Sequence, residues 1–420
     1  MLALGGRMSY NVGIMRREDF IDGFPGTLAD AEFLDKDIFG HHRPLAGLVF
    51  IPHLLPPSLK PSDLHGRLFE VLDRAREALV RLDSLVDGLP SRTTLLAAMR
   101  VSEAQASSRI ENTVASLDDI AMAAAMDRRA TSETLEVVRN RDAIVHGLNS
   151  PLPVSVRLVR EMHSILITDP AQRPGMLRDR QVYIGSSTLG ITRARFVPPP
   201  ADRVASLMDD WERFCNPGPQ QRDETPSRQR FSDLVELAMA HYQFETIHPF
   251  NDGNGRLGRA LISLAPVKQG HLRNPVCNVS EWIQGNRQEY YDRLLAVSTR
   301  GEWDEWITFF CTALAEQATT DTRRARALHD LYTTYLRQIT MRRGSILPVR
   351  LLDHIFDRMG VTVAIAAEIM DVSRTQAQRH IDTFVTKGIL EPVKGIDYGR
   401  IYLAKGVIRA LSDTGDASAS

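Results

Sequence analysis

Twelve residues just past the midpoint, His248-Pro249-Phe250-Asn251-Asp252-Gly253-Asn254-Gly255-Arg256-Leu257-Gly258-Arg259, constrain the fold more than any other passage. Helical apolar spacing runs into them over about residues 231–246, and the apolar run from Ala260 to Val267 leaves them. A helix therefore ends near Ile247, a glycine-rich loop follows, and a second helix starts near Asn254. The backbone N–H groups at such a start have no intrahelical acceptors, and the helix dipole adds partial positive charge, so this place suits an anion. Phosphate is the natural guest. Gly253 and Gly255 are expected to bring the backbone close to it in left-handed conformations closed to other residues.

The side chains extend the argument. Arg256 and Arg259 are three residues apart on the first turn, hence on nearly one face, where cations are unfavourable unless an anion is bound. Both can make charge-assisted hydrogen bonds to phosphate oxygens. Asp252 is a hard oxygen ligand suited to Mg²⁺ beside phosphates, and His248 has the near-neutral pKa of a general base. Base, metal ligand, backbone nest and arginines add up to phosphoryl or nucleotidyl transfer. His146, His163 and His241 lack such a context and read as core or surface residues.

The passage resembles the signature of the Fic family, H-x-F-x-[D/E]-G-N-G-R-x-x-R, with every defining position filled. Pro174-Gly175-x-x-Arg178, the Val182-Tyr183-Ile184-Gly185 segment, the exit Phe196-Val197-Pro198-Pro199 and Trp306-x-x-Phe309-Phe310 are similar to further landmarks, which carries the resemblance over about residues 40–315. The resemblance implies a mainly α fold, a Fic-type helical bundle with a small β-hairpin flap. It implies a protein adenylyltransferase, which moves AMP from ATP, with Mg²⁺, onto a Ser, Thr or Tyr hydroxyl of a target protein or of its own chain. His248 would take the hydroxyl proton and Asp252 would hold Mg²⁺. Gly253, Asn254, Gly255 and Arg256 would cradle the α- and β-phosphates, and Arg259 the γ-phosphate. Tyr290 and Tyr291 would belong to the base pocket, Phe250 would anchor the loop in the core, and the hairpin over about 181–197 would clamp the target by strand addition.

Upstream, Ser107-Ser108-Arg109-Ile110-Glu111-Asn112 resembles the family's inhibitory pattern [S/T]-x-x-x-E-[G/N]. Ser107 and Glu111 are four residues apart, so a helix puts them on one face. A Glu111 carboxylate delivered to Arg259 would take the place of the γ-phosphate and leave ATP misaligned for transfer.

The rest of the chain divides by pattern. Residues 1–60 are punctuated by proline and glycine, with one strand-like run from Leu45 to Ile51, and read as an extended lead-in whose first thirty residues are loosely packed. Helical spacing then marks an N-terminal region at 61–130 that carries the inhibitory helix, the catalytic core at 131–315 and a connecting helix at 316–347. Residues 348–405 read as helix, helix, turn at Asp371-Val372, helix and a β-hairpin around 394–399. This is similar to a winged helix-turn-helix, expected to be a separable module, and 406–420 is a flexible tail. From Val372 to Arg409 there are seven Lys or Arg against three Asp or Glu, and Arg374, Gln376, Gln378 and Arg379 would open a recognition helix. DNA contact, protein docking and the orienting of a homodimer all remain open for it. So does a DNA-binding regulator whose Fic core senses nucleotide. A net charge of −1 favours no class of partner. Three widely spaced cysteines, no signal-like start and no apolar run of membrane length are expected of a cytoplasmic protein.

Overall fold

In the computed structural model, which describes residues 15–36, 42–57, 66–125, 131–185, 194–217, 232–339, 346–393 and 400–412, one apolar face runs the length of α1 (Gly66–Asp87). Leu68, Leu72, Ala75, Leu79, Leu82 and Val86 recur at three- and four-residue steps along it and are all buried. α2 (Arg92–Ile110) differs: Leu95, Ala98, Met99, Val101, Gln105, Ser107 and Ser108 point in several directions and are buried too, as expected of a helix enclosed by others. α3 (Leu117–Ala125), α4 (Ser132–Asn149) and α5 (Val156–Leu166) follow, the last two capped at their starts by Thr131 and Ser155. Then come α6 (Ala201–Cys215), α7 (Asp233–Ile247), α8 (Asn254–Lys268), α9 (Ser280–Gly285), α10 (Arg287–Arg300) and the long α11 (Trp303–Ile339). α11 lies along α1, and α7 and α8 run through the centre, where Phe244, Ile247, Phe250, Leu257 and Leu264 are fully buried.

The lead-in is more structured than expected. β1 (Gly26–Lys36) and β2 (His42–Pro52) form an antiparallel hairpin from Gly26 opposite Pro52 to Lys36 opposite His42. Met15, Phe20, Phe33, Val49 and Phe50 are buried, so the segment after residue 14 is packed rather than loose. The strand-like run from Leu45 is the second strand. The first was concealed by its polar alternation, Asp30, Glu32 and Asp35 falling between apolar residues. This hairpin supports the short pair β3 (Ile184–Gly185) and β4 (Ala194–Phe196): Phe50 N–H donates to Val197 O at 3.0 Å, and the Phe50 and Phe196 rings meet with centroids 5.5 Å apart. The turn of the expected flap, 186–193, lies outside the described residues.

The C-terminal part consists of α12 (Leu347–Arg358), β5 (Gly360–Thr362), α13 (Val363–Met370), α14 (Arg374–Thr386), β6 (Glu391–Pro392), β7 (Ile401–Leu403) and α15 (Lys405–Ser412), its antiparallel sheet ordered β5-β7-β6. Asp371 turns the chain in a left-handed conformation, and Ser373 with Gln376 caps α14. The order of helices and strands follows the one expected from the sequence; the hairpin tip at 394–399 is outside the described residues. This part packs against the helices of the bundle. α12 packs on α2, β5 on α3, and Phe356 meets the rings of Tyr332 and Tyr335 on α11 at 5.2 and 6.3 Å. Asp353 accepts hydrogen bonds from Thr94 Oγ1 (3.1 Å) and Tyr332 Oη (2.7 Å), and Lys405 pairs with Asp118. α15 also reaches to Ser412, where a flexible tail was expected from residue 406. Among the described residues no helix is long and apolar enough to cross a membrane.

Candidate active site

α7 ends at Ile247, and His248 turns the chain with φ 51° and ψ 62°. A left-handed histidine is strained, and the surrounding bonds hold it. The buried Arg178 guanidinium donates to His248 O (2.8 Å), Ile247 O (3.3 Å), Pro199 O (2.6 Å) and Arg180 O (3.2 Å), so one side chain satisfies carbonyls at the helix end and fastens it to the strand exit. His248 Nδ1–H donates to Glu245 O at 3.3 Å, which leaves Nε2 as an acceptor. Burial lowers this imidazole to about 4, so it is neutral at pH 7.

Two side chains shape the loop from 249 to 253. Asn254 accepts from Phe250 N–H (2.8 Å) and donates to Phe250 O (2.9 Å), while Phe250 is fully buried. His163 stacks on the Phe250 ring at 3.9 Å, accepts from Gly175 N–H at Nδ1 (2.8 Å) and donates from Nε2 to Asp252 O (3.2 Å). Burial lowers His163 to about 4, which keeps it neutral in this two-way role. The Asn254 side chain is thus committed to closing the loop, and only its backbone is left to face a ligand.

Gly253 has φ 78°, as expected, but Gly255 is an ordinary helical residue of α8. Its missing side chain matters for clearance instead: a Cβ there would collide with the Glu111 carboxylate and crowd Arg259 Nη1. No side chain caps α8, whose first intrahelical bond is Leu257 N–H to Gly253 O. Arg256, buried, pairs with Glu136 at 3.2 Å and lies 3.6 Å from Asp252. Arg259 is 1% exposed and donates from Nε to Ser107 Oγ (3.0 Å) and from Nη2 to Ser107 O (2.9 Å) and Glu111 Oε1 (2.7 Å). Glu111 is the C-cap of α2. Burial works to raise its carboxyl, but the Arg259 guanidinium outweighs burial and holds it below the ordinary value. Burial opposes the Arg259 charge in turn, and Glu111 overcomes it.

These groups line one cleft that is partly open to solvent. Its lining includes Glu111, His248, Asp252 to Arg256, Arg259 and Tyr291, with Ile184 and Phe196 from the strand pair. Tyr290 is not part of it: its ring is buried and its hydroxyl bonds His241 Nε2 at 2.8 Å, so its place is the core behind the wall. Arg178 was legible only as a landmark, His163 read only as a core or surface residue, and Glu136 and Glu245 were not singled out. Each acts through a partner distant in sequence, which leaves no local spacing to read.

Fold and site together define a helical protein with an uncapped, arginine-lined helix start facing a neutral histidine, a place for phosphates beside a proton acceptor. Residues 153–265 match the profile described as Fic/DOC family, and residues 69–149 the one described as Fic/DOC family N-terminal. It is 28% identical over 269 residues to the protein adenylyltransferase Fic of Aedes aegypti, covering 59% of this chain and 48% of that one. To the protein adenylyltransferase fic-1 of Caenorhabditis elegans it is 31% identical over 161 residues, 36% of this chain and 27% of that one. The chain thus spans about half, or less, of the length of these curated relatives. A Fic family protein from Desulfovibrio desulfuricans G20 shares the fold, with a TM-score of 0.51 at 19% identity over 82% of this chain and 98% of that one.

Proposed function

We propose that this protein is an adenylyltransferase that moves AMP from ATP to a hydroxyl of a protein and is restrained by its own Glu111. The observation that carries this is the seat of that carboxylate: it lies over the start of uncapped α8, against Gly255, and bonds the buried Arg259. The chain itself supplies an anion where a terminal phosphate would bind. The relatives named as protein adenylyltransferases support ATP as the donor.

The N–H groups opening α8, with Arg256 and Arg259, would hold the triphosphate. The target hydroxyl oxygen attacks the α-phosphorus, its proton passes to His248 Nε2, the bond to the bridging oxygen breaks and pyrophosphate leaves. The negative charge of a bound triphosphate raises the low basicity of His248 as the substrate arrives. Asp252 fits Mg²⁺: it is exposed at the cleft, Oδ1 accepts from Gly253 N–H (2.6 Å), and Oδ2 is left as a hard donor. Mg²⁺ there would neutralise phosphate charge. The edge of β3–β4 offers backbone groups to a target segment. Cys215, Cys277 and Cys311, buried and unpaired, fit a reducing compartment, in keeping with a cytoplasmic protein.

Incubation with α-labelled ATP and Mg²⁺, comparing wild type with Glu111→Gly, tests the reading. Label should appear on the variant chain or on a protein in a lysate. Nucleotide bound without transfer by either form would overturn it in favour of a nucleotide-sensing regulator. One observation speaks for a DNA role besides: Arg374, Gln376 and Arg379 are exposed on the first turns of α14, while Gln378 turns back to Asp382. Binding of duplex DNA that weakens steeply with salt would bear that out.

A further inference from the structure

Arg256 meets the cleft from the first turn of α8, and its guanidinium is held on one side only. Nη1 donates to Glu136 Oε2 at 3.2 Å, while Nη2 faces Asp252 Oδ1 at 3.6 Å, beyond a hydrogen bond. Nε is shut off from solvent and has no hydrogen-bond partner. A buried cation with one N–H unmet is costly to keep in place, and a long side chain turns out to water unless something holds it. Among the described residues, the hydrogen bond that holds this guanidinium is the one to Glu136.

The carboxylate that holds it is itself fixed. Glu136 lies on α4, half-buried, and is not among the residues that line the cleft. The oxygen that accepts from Arg256 also accepts from Thr113 Oγ1 at 3.1 Å. Thr113 is buried, and its N–H donates to Ser108 O at 3.1 Å, which closes the end of α2 two residues past Glu111. One turn further along α4, Asn140 Nδ2 donates to Ala104 O at 3.2 Å and ties the two helices again. Glu136 therefore joins the end of α2 to the start of α8 from a rigid place on α4.

A carboxylate on an arginine beside a phosphate site can compete with the phosphate or aim the arginine at it. Position decides between the two. Glu111 lies inside the cleft, over the start of α8, where the ligand itself would be. Glu136 stands outside the lining and takes Nη1 alone, leaving the Nη2 edge turned to Asp252 within the cleft. An arginine fixed on a ligand loses rotamer freedom, so fixing it beforehand moves that loss from binding to folding.

Resting on the nucleotide reading of the cleft, we propose that Glu136 is a positioning residue for the triphosphate: from outside the cleft it aims Arg256 at the phosphates.

The test is calorimetric binding of ATP with Mg²⁺ to the full chain, as wild type and as variants. Glu136→Ala should bind ATP roughly ten-fold more weakly than wild type, and Glu136→Gln, which keeps an oxygen for both donors without the charge, should stay within about three-fold of it. Glu136→Asp, which keeps the charge but draws it back by one methylene, should lose nearly as much as Glu136→Ala. Once Arg256→Met is present, adding Glu136→Ala should cost nothing more, because Glu136 acts through the arginine. The same loss with and without Arg256→Met, accompanied by a lower melting temperature in each case, would make Glu136 a structural residue and overturn the proposal. Tighter binding by Glu136→Ala and Glu136→Gln would show a competitor of the phosphates, and unchanged binding by Glu136→Ala would show an idle contact. Either result overturns the proposal and leaves the nucleotide reading intact. No binding of ATP by wild type or by Glu111→Gly overturns both.

Discussion

Arg259 Nη2 and Glu111 Oε1 are 2.7 Å apart, and among the described residues the Arg259 guanidinium donates its hydrogen bonds to α2 and its C-cap, two to Ser107 and one to Glu111. The buried cation is therefore shaped by the helix that restrains it. Removing the carboxylate frees one edge of the guanidinium, while Ser107 keeps the rest in place.

Glu111→Gly should raise self-labelling with α-labelled ATP roughly ten-fold or more, in the range of ordinary coupling energies. Adding Arg259→Ala should abolish the gain, because the competitor and the anchor it competes for are then both gone. Release of AMP from prelabelled protein by wild type without ATP measures whether the restraint is obstruction or reversal. Steady loss means reversal. A Glu111→Gly chain that binds ATP and folds but labels no faster would refute the restraint.

Replacing Arg178 by Met should cost about 3 kcal/mol or more, since buried carbonyls of His248, Ile247 and Pro199 lose their donor. Transfer should fall further than ATP affinity, because the helix end that aims His248 loosens while α8 stays intact. Urea unfolding and nucleotide binding on one preparation give both numbers, and equal losses would contradict this division.

The legible parts of the site were those adjacent in sequence. The run from His248 to Arg259 announced a helix end, a loop and a helix start because glycine and arginine spacing there is a local property, and Ser107 with Glu111 stood out for the same reason. What escaped was contributed across the fold. Arg178 reaches carbonyls seventy residues away, at His248, and His163 reaches Asp252 eighty-nine residues away. Gly255 was misjudged in conformation because its purpose, clearance for a carboxylate from α2, exists only after folding. The β1 strand and the docking of the C-terminal helices were hidden in the same manner, one by polar alternation and the other because an apolar helix face does not reveal its partner.

The pH response of the base follows from its burial. His248 is lowered to about 4 from an ordinary 6.5 in the free protein, so kcat/KM for transfer by Glu111→Gly should stay level from pH 8 to about 5 and fall only near 4, whereas kcat, read with the triphosphate bound, should begin to fall at a higher pH. An imidazole at its ordinary value would show the fall near 6.5. For stability the sign is the same: the unfolded chain takes up protons first, so the contribution of His248, and of His163 at about 4, is present above 6.5 and is lost as pH drops toward 4. Chemical denaturation at several pH values, with His163→Asn as a comparison, would show the His163 share as a flatter curve.

The last expectation concerns the C-terminal helices, whose sequence suggests independence. Leu351, Leu352, Ile355 and Phe356 on α12 are fully buried, and Phe356 meets Tyr332 and Tyr335 of α11 rather than only its own neighbours. Asp353 ties the same helix to Thr94 at the start of α2, the helix that carries Ser107 and Glu111. Ending the chain at residue 346 would strip α2, α3 and α11 of this cover and leave the tyrosine rings and the backbone at Ala121 facing water. Phe356→Ala should cost about 3–5 kcal/mol, the usual penalty for such a cavity. Because the apolar core is continuous from Leu68 to Leu411, calorimetry of the full chain should show one transition that moves down as a whole in the variant. Two transitions, with only the smaller one shifted by Phe356→Ala and the truncated chain folding normally, would show that the docking is too weak to join the two parts into one cooperative unit.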